Sequence, residues 1–351
     1  MKSFFIGNIE IKTPVIQGGM GVGISLSGLA SAVANEGGVG VISCAGLGLL
    51  YPKGKGTYPE KCINGLKEEI RKARAKTKGI IGVNVMVALS NYADMVRTAI
   101  EEKIDVVFSG AGLPLDLPSY LTPESTTKLV PIVSSSRAAK IICDKWQKNY
   151  NYLPDAIVVE GPKAGGHLGF KKEQLQDQHY ALEALIPEVV MIASSYKEQK
   201  QIPVIAAGGI ADGRGVAAAF MLGARGVQLG TGFVVTAESQ VHDNYKNSII
   251  KAKDIDSRVT GRSTGHPVRV LRNQMAKEYI KKEQEGASFE ELEQMTLGGL
   301  RRAVVDGDVV TGSVMAGQSA AMFKEVLTCK EFIEKLVKET DALIKGAGFY
   351  E

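Results

Sequence analysis

The chain has 351 residues, of which 44% are hydrophobic and 23% charged, and a formal net charge of +4. That balance predicts a water-soluble globular protein with a sizeable core, and its small, dispersed charge speaks against a nucleic-acid partner. No apolar run is long enough to span a bilayer, and Cys44, Cys62, Cys143 and Cys329 lack C-x-x-C spacing. The reading is therefore no membrane, no metal centre, no disulfide framework and a cytoplasmic location.

In chain order, the start "MKSFFIGNIEIKTP" holds a short apolar patch without the sustained hydrophobic stretch of a leader. Strands are predicted at 14–17, 38–43, 80–84, 105–109, 129–133, 155–160, 203–207 and 226–230. They are rich in Val and Ile and lack polar alternation, as expected of parallel strands covered on both faces. Helical patterns separate them. Ser27 is read as the cap of a helix that halts at Gly37-Gly38, and Asn91, Ser136 and Asp212 open others, the last stopping at Gly223. Eight alternations predict an α/β fold, a (β/α)8 TIM barrel over 1–236; a doubly wound sheet is the rival that the even repetition disfavours. Residues 237–310 carry charged helical patterns with no strand between them. They are assigned to a small helical cap inserted after the eighth strand, with 311–351 returning to the barrel.

In such a barrel the active site lies at the carboxyl ends of the strands. Gly18-Gly19-Met20, Ser43, Asn84, Gly110, Gly208-Gly209 and Gly230-Thr231 all fall there. So does "VVEGPKAGGHLGF" (158–170), in which Gly161, Gly165, Gly166 and Gly169 surround Lys163 and His167. Glycines so dense imply special dihedrals or a ligand close to the backbone. The loops after strands seven and eight read "AAGGIADG" and "VQLGTGF", where a phosphate can meet backbone N–H groups and the Thr231 hydroxyl. The bland alternative is that these glycines only make tight turns.

Six segments in this order, "IQGGMG", "GVNVMV", "EGPKAGGHLG", "PVIAAGGIADGRG", "GVQLGTGFV" and "GSVMAGQSAA", resemble the nitronate monooxygenase (2-nitropropane dioxygenase) family. That family includes the FMN-dependent type II enoyl-acyl-carrier-protein reductases. The resemblance implies non-covalent FMN, with Gly19, Met20 and Asn84 lining the ring system. Gly208, Gly209, Gln228, Gly230 and Thr231 would hold the ribityl phosphate, with Gly165 and Gly166 beside the cofactor. Gln318 would close over it from the returning segment. His167 stands where the family's catalytic histidine stands, and imidazole suits proton transfer near neutral pH. Glu160 is read as a structural acceptor for nearby N–H groups. Lys163 departs from the acidic residue often found there. His179, His242 and His266 carry no functional reading.

Two activities follow from the resemblance. The preferred one is oxidation of an alkyl nitronate with dioxygen, because the glycine-rich loop Gly19 to Gly23 lacks a bulky aromatic. The alternative is reduction of an enoyl thioester on acyl carrier protein with NAD(P)H as co-substrate. "STGHPVRV" favours it, as does a basic rim of Lys53, Lys55, Lys61, Lys171 and Lys172. A non-catalytic phosphate-ligand-binding barrel is the reading from another class. A homodimer is the assembly to test.

Overall fold

The computed structural model describes residues 1–51 and 56–346. Eight parallel strands close into a barrel: Val15–Gln17, Val39–Ser43, Ile80–Met86, Val106–Gly110, Lys128–Val133, Ile157–Glu160, Val204–Ala207 and Gly226–Leu229. Each falls at a predicted position, and helices such as Ser27–Asn35, Tyr92–Glu101, Ser136–Tyr150, Leu182–Ser194 and Gly213–Met221 lie between them. The architecture is the (β/α)8 barrel. No helix among the described residues is long and apolar enough to cross a membrane.

The pleat sorts each strand into two cores. Ile157 and Val159 join the shell that packs on the helices, whereas Ala156 and Val158 join the barrel interior with Val41, Phe108, Val130 and Ile205. Successive strand residues face opposite ways, so Glu160 follows Val158 to the inside at the carboxyl end of its strand. The same alternation places Ser43, Asn84 and Gln228 on the inside. The opposite end of the barrel is closed by the hairpin Phe4–Ile6 and Ile9–Ile11. Phe4, Ile6 and Ile11 belong to the interior cluster, and Phe4 lies against Gly226 where a side chain would meet its ring at 3.0 Å. The apolar patch at the start of the chain is thus a barrel plug.

The first and second barrel strands share only the register pair Ile16↔Val39. Buried Gln17 compensates: its amide donates to the Ser25 hydroxyl (2.8 Å) and the Val41 carbonyl (2.9 Å), and its Oε1 accepts from Val41 N–H (3.2 Å). A side-chain amide here replaces the missing backbone ladder.

Helix starts follow the predicted chemistry at Asp212, whose carboxylate accepts from the N–H groups of Arg214 and Gly215. At the helix Ser136–Tyr150 the capping hydroxyl belongs to Ser135, one residue before the predicted Ser136, and it accepts from Ala138 N–H. Ser27 does not cap with its side chain. It is the first helical residue, and its N–H donates to the Glu69 carboxylate at 2.7 Å. A distant acid thus satisfies a donor that local chemistry leaves open.

After the eighth strand come the helices Asp243–Ile250, Gln274–Gln284 and Phe289–Thr296, as read from the sequence. Between them stands a β-hairpin, Ser257–Thr260 paired with Val268–Leu271, which the sequence reading had not placed. A third strand, Gly166–His167, completes this small sheet from the histidine loop. The chain then returns through Gln318–Met322 and ends in the long helix Cys329–Gly346, whose Glu339 accepts from Gly213 N–H at 3.0 Å.

Candidate active site

The histidine loop is held from three sides. Its backbone pairs with the hairpin in the registers Val268↔His167 and Arg269↔Gly166, and Leu168 N–H donates to the Pro267 carbonyl at 2.9 Å. On the second side, Gly165 presses on Ala316 and Gly317, so that a Cβ there would come within 2.5 Å of backbone. On the third, the Arg269 guanidinium donates to the Pro162 carbonyl (2.8 Å) and the Ser257 hydroxyl (2.8 Å). Gly166 has a φ of +75°, a conformation other residues rarely adopt. The glycine density therefore answers to close packing and one left-handed turn, which set the histidine rigidly.

His167 is an exposed residue, yet enough protein packs about its ring to desolvate it in part. That partial burial, followed by the charge of His266, lowers its pKa below the ordinary histidine value. The shift favours the neutral imidazole, whose free nitrogen can accept a proton. His266 is exposed, with its ring edge-on to Phe289 at 6.4 Å between centroids. Its electrostatic link to His167 exists only because the hairpin folds back onto the loop. The other two histidines are structural: His242 Nδ1 caps its helix by accepting from Asn244 N–H, and His179 pairs with Asp177.

Below His167 the barrel mouth carries polar groups without partners. The Ser43 hydroxyl is buried and makes no hydrogen bond among the described residues. The carboxyl of Glu160 accepts none either, so the expected role as an acceptor for neighbouring N–H groups is not realised. Burial without a partner pushes the Glu160 pKa up to about 7. Asn84 lies directly beneath Gly19, whose missing Cβ makes room for it, and Gln228 has one long contact, 3.5 Å to the Gln17 carbonyl. Buried polar groups left open in this way are uncommon in a finished core.

The remaining sequence-derived positions converge on the same mouth. Gly18 N–H donates to the Leu229 carbonyl (2.8 Å), which brings the first loop against the eighth strand, and Met20 sulfur lies beside Gly230. Gly208 and Gly209 have φ values of +95° and +88°. A Cβ on Gly208 would meet the Gly161 carbonyl at 2.7 Å, and one on Gly209 would meet Lys163 Cβ at 2.8 Å. The pair thus makes the tight turn and also lets the sixth and seventh loops touch. The backbone N–H groups of Gly208, Gly209 and Thr231 have no acceptor among the described residues. Thr231 Oγ1 accepts from Gly317 N–H at 2.9 Å, so its own proton points elsewhere. Gln318 N–H donates to the Lys163 carbonyl (3.0 Å), and its side chain is exposed over the mouth.

Of the basic rim, Lys53 and Lys55 lie outside the described residues, and Lys172 faces Glu173 at 3.8 Å. Sequence reasoning missed Arg269, a buried guanidinium with an unpartnered Nε and no carboxylate beside it. An arginine inside the short apolar run "VRVL" was the available signal.

An enzyme-type mouth on a (β/α)8 barrel, with a pinned histidine and open backbone donors, defines the class. The chain matches the nitronate monooxygenase family over residues 2–339 and belongs to it; it is an oxidoreductase. It is 37% identical to FabK of Thermotoga maritima, covering 97% of this chain and 96% of that one with a TM-score of 0.80. A probable nitronate monooxygenase of Staphylococcus saprophyticus is 27% identical over 96% of this chain and 97% of its own. A Mycobacterium tuberculosis dehydrogenase of a bicyclic carboxyl-CoA is 29% identical over 94% and 93%.

Proposed function

We propose that the protein is an FMN-dependent oxidoreductase acting on an alkyl nitronate, and that His167 takes the proton when the substrate arrives as the neutral nitroalkane and otherwise donates a hydrogen bond to the anion. The mouth fits the cofactor. Free N–H groups at Gly208, Gly209 and Thr231, with the Thr231 hydroxyl, suit a phosphate, and the open polar groups of Ser43, Asn84, Glu160 and Gln228 suit a polar ring system and ribityl chain. When bound, FMN would take electrons from the substrate and hand them to dioxygen. Gly19, Met20, Asn84, Gly165, Gly166 and Gln318 would line the cofactor.

The choice of nitronate rests on the first loop, Gly19 to Gly23, whose small residues leave no bulky aromatic beside the mouth; the lowered pKa of His167 agrees with it. A neutral imidazole can take a proton from a carbon acid through its free nitrogen, or donate a hydrogen bond to the nitronate anion through its N–H. Reduction of an enoyl thioester would require the histidine side to supply a proton. The second reading, an NAD(P)H-dependent enoyl-thioester reductase, is favoured by the higher identity to FabK and by the carboxyl-CoA relative. Anaerobic mixing separates the two. Bleaching of bound FMN by a nitronate alone supports the first. Bleaching by NAD(P)H, reoxidation by a crotonyl thioester and silence toward nitronate would replace it with the second. Protein that binds no flavin would leave a barrel for another phosphate ligand.

A further inference from the structure

The loops that would cradle the FMN phosphate supply dipoles but no fixed positive charge of their own. Their N–H groups and the Thr231 hydroxyl are neutral donors, whereas a phosphate monoester carries about −1.5 to −2 at neutral pH. The cations near these loops differ in availability. Arg214, at the start of the helix that follows the seventh strand, is taken by Asp212 at 2.6 Å. Arg269 is buried and spent on Pro162 and Ser257. Lys163 is exposed and makes no ion pair or side-chain hydrogen bond among the described residues.

Its placement is set by backbone, which keeps it beside the cradle. The Lys163 carbonyl accepts from Gln318 N–H, and Gly317, the next residue back, donates to Thr231 Oγ1. Its side chain runs over Gly209, with Cβ, Cδ and Cγ lying 2.8, 3.4 and 3.7 Å from where a Gly209 Cβ would stand. The glycine is thus the floor on which the lysine stem lies. Arrangement of the three loops brings Lys163, Gly209 and Thr231 to one edge of the mouth, with a flexible ammonium that no described residue engages.

We propose that Lys163 is a phosphate-binding residue of this chain, its ammonium closing over the FMN phosphate from the histidine loop. The proposal rests on the FMN reading and deepens it. It also ties the cofactor's far end to the loop that carries His167, four residues on.

Riboflavin isolates the phosphate, because it keeps the ring and ribityl chain and lacks the charge. Apo protein is titrated with FMN and with riboflavin, read by quenching of flavin fluorescence, for wild type, Lys163→Met, Lys163→Arg and Lys163→Glu. A charge-assisted contact at an exposed site is worth about tenfold in affinity. Lys163→Met should therefore weaken FMN about tenfold and Lys163→Glu further, Lys163→Arg should stay within about threefold, and riboflavin should change less than about twofold throughout. The FMN affinity of wild type should fall more steeply with added salt than that of Lys163→Met. Equal FMN affinity in wild type and Lys163→Met overturns the proposal while leaving the cofactor in place. Parallel loss of FMN and riboflavin also overturns it, because the side chain then acts by packing. Failure of wild type to bind either flavin removes the FMN reading itself, and the proposal with it.

Discussion

The two ends of the barrel interior are built on opposite rules. At the amino end, Phe4, Ile6 and Ile11 of the plug cluster with Ile16, Val39 and Val106 in an apolar layer. At the carboxyl end the inward positions are Ser43, Asn84, Glu160 and Gln228, with a buried hydroxyl and a carboxyl that nothing in the described chain satisfies. Packing at the first end is complete in itself. At the second end polar side chains stay open among the described residues, and four strand-end loops and the returning segment at Gln318 converge there. One end stabilises the fold, and the other leaves inward polar groups unpaired, as a site for chemistry would.

The strongest way to break that contrast is at the histidine. His167→Ala should cut turnover by about 10²–10⁴-fold wherever proton transfer limits the rate, with FMN affinity nearly unchanged. Substrate supplied as preformed nitronate should show a smaller loss, and a variant that loses flavin but keeps its activity per flavin would make the histidine structural. At the opposite end, Ile6→Ala empties a fully buried site and should cost about 2–5 kcal/mol in denaturant unfolding. Flavin affinity of the folded fraction should not move. If it does, the two ends are coupled and the contrast fails.

Glu160 sharpens the comparison through pH. Its folded pKa of about 7 lies above the ordinary value of 4.5. Between these values the folded chain keeps a proton that the unfolded chain has released, so the contribution is full below pH 4.5 and is lost as pH rises through 7. Wild type should therefore lose stability across that window, by up to roughly 3 kcal/mol, relative to Glu160→Gln. Identical pH slopes for the two proteins would show that the carboxyl finds a partner in solution. The smallest expected effect is at His266. Removing its charge with His266→Ala should raise the His167 pKa, moving the acid limb of the pH–rate profile to higher pH and shifting the imidazole NMR titration in the same direction.

The barrel strands were legible because parallel strands buried on both faces are short, nearly unbroken runs of Val and Ile, a local signal. The positions at their carboxyl ends were legible for the same reason: once a strand is placed, the residue at its end is placed too. The hairpin was not. Ser257–Thr260 and Val268–Leu271 are four residues each, and part of their pairing comes from Gly166–His167, about a hundred residues earlier. Ser27 looked like a cap, yet its N–H is served by Glu69 from another helix, a partnership that no local pattern contains.

The sequence by itself determined the repeat of strand and helix, the face on which loops gather, and the residue types offered there, because each depends on periodicity and on backbone chemistry within a few residues. Only the tertiary structure decided which of those residues are spent and which are open. Arg269 is engaged by Pro162, Arg214 by Asp212, and Ser27 N–H by Glu69, while Ser43, Glu160 and Lys163 have no partner among the described residues. Satisfaction of a polar group is a property of pairs brought together from distant parts of the chain, so it cannot be read from either member alone.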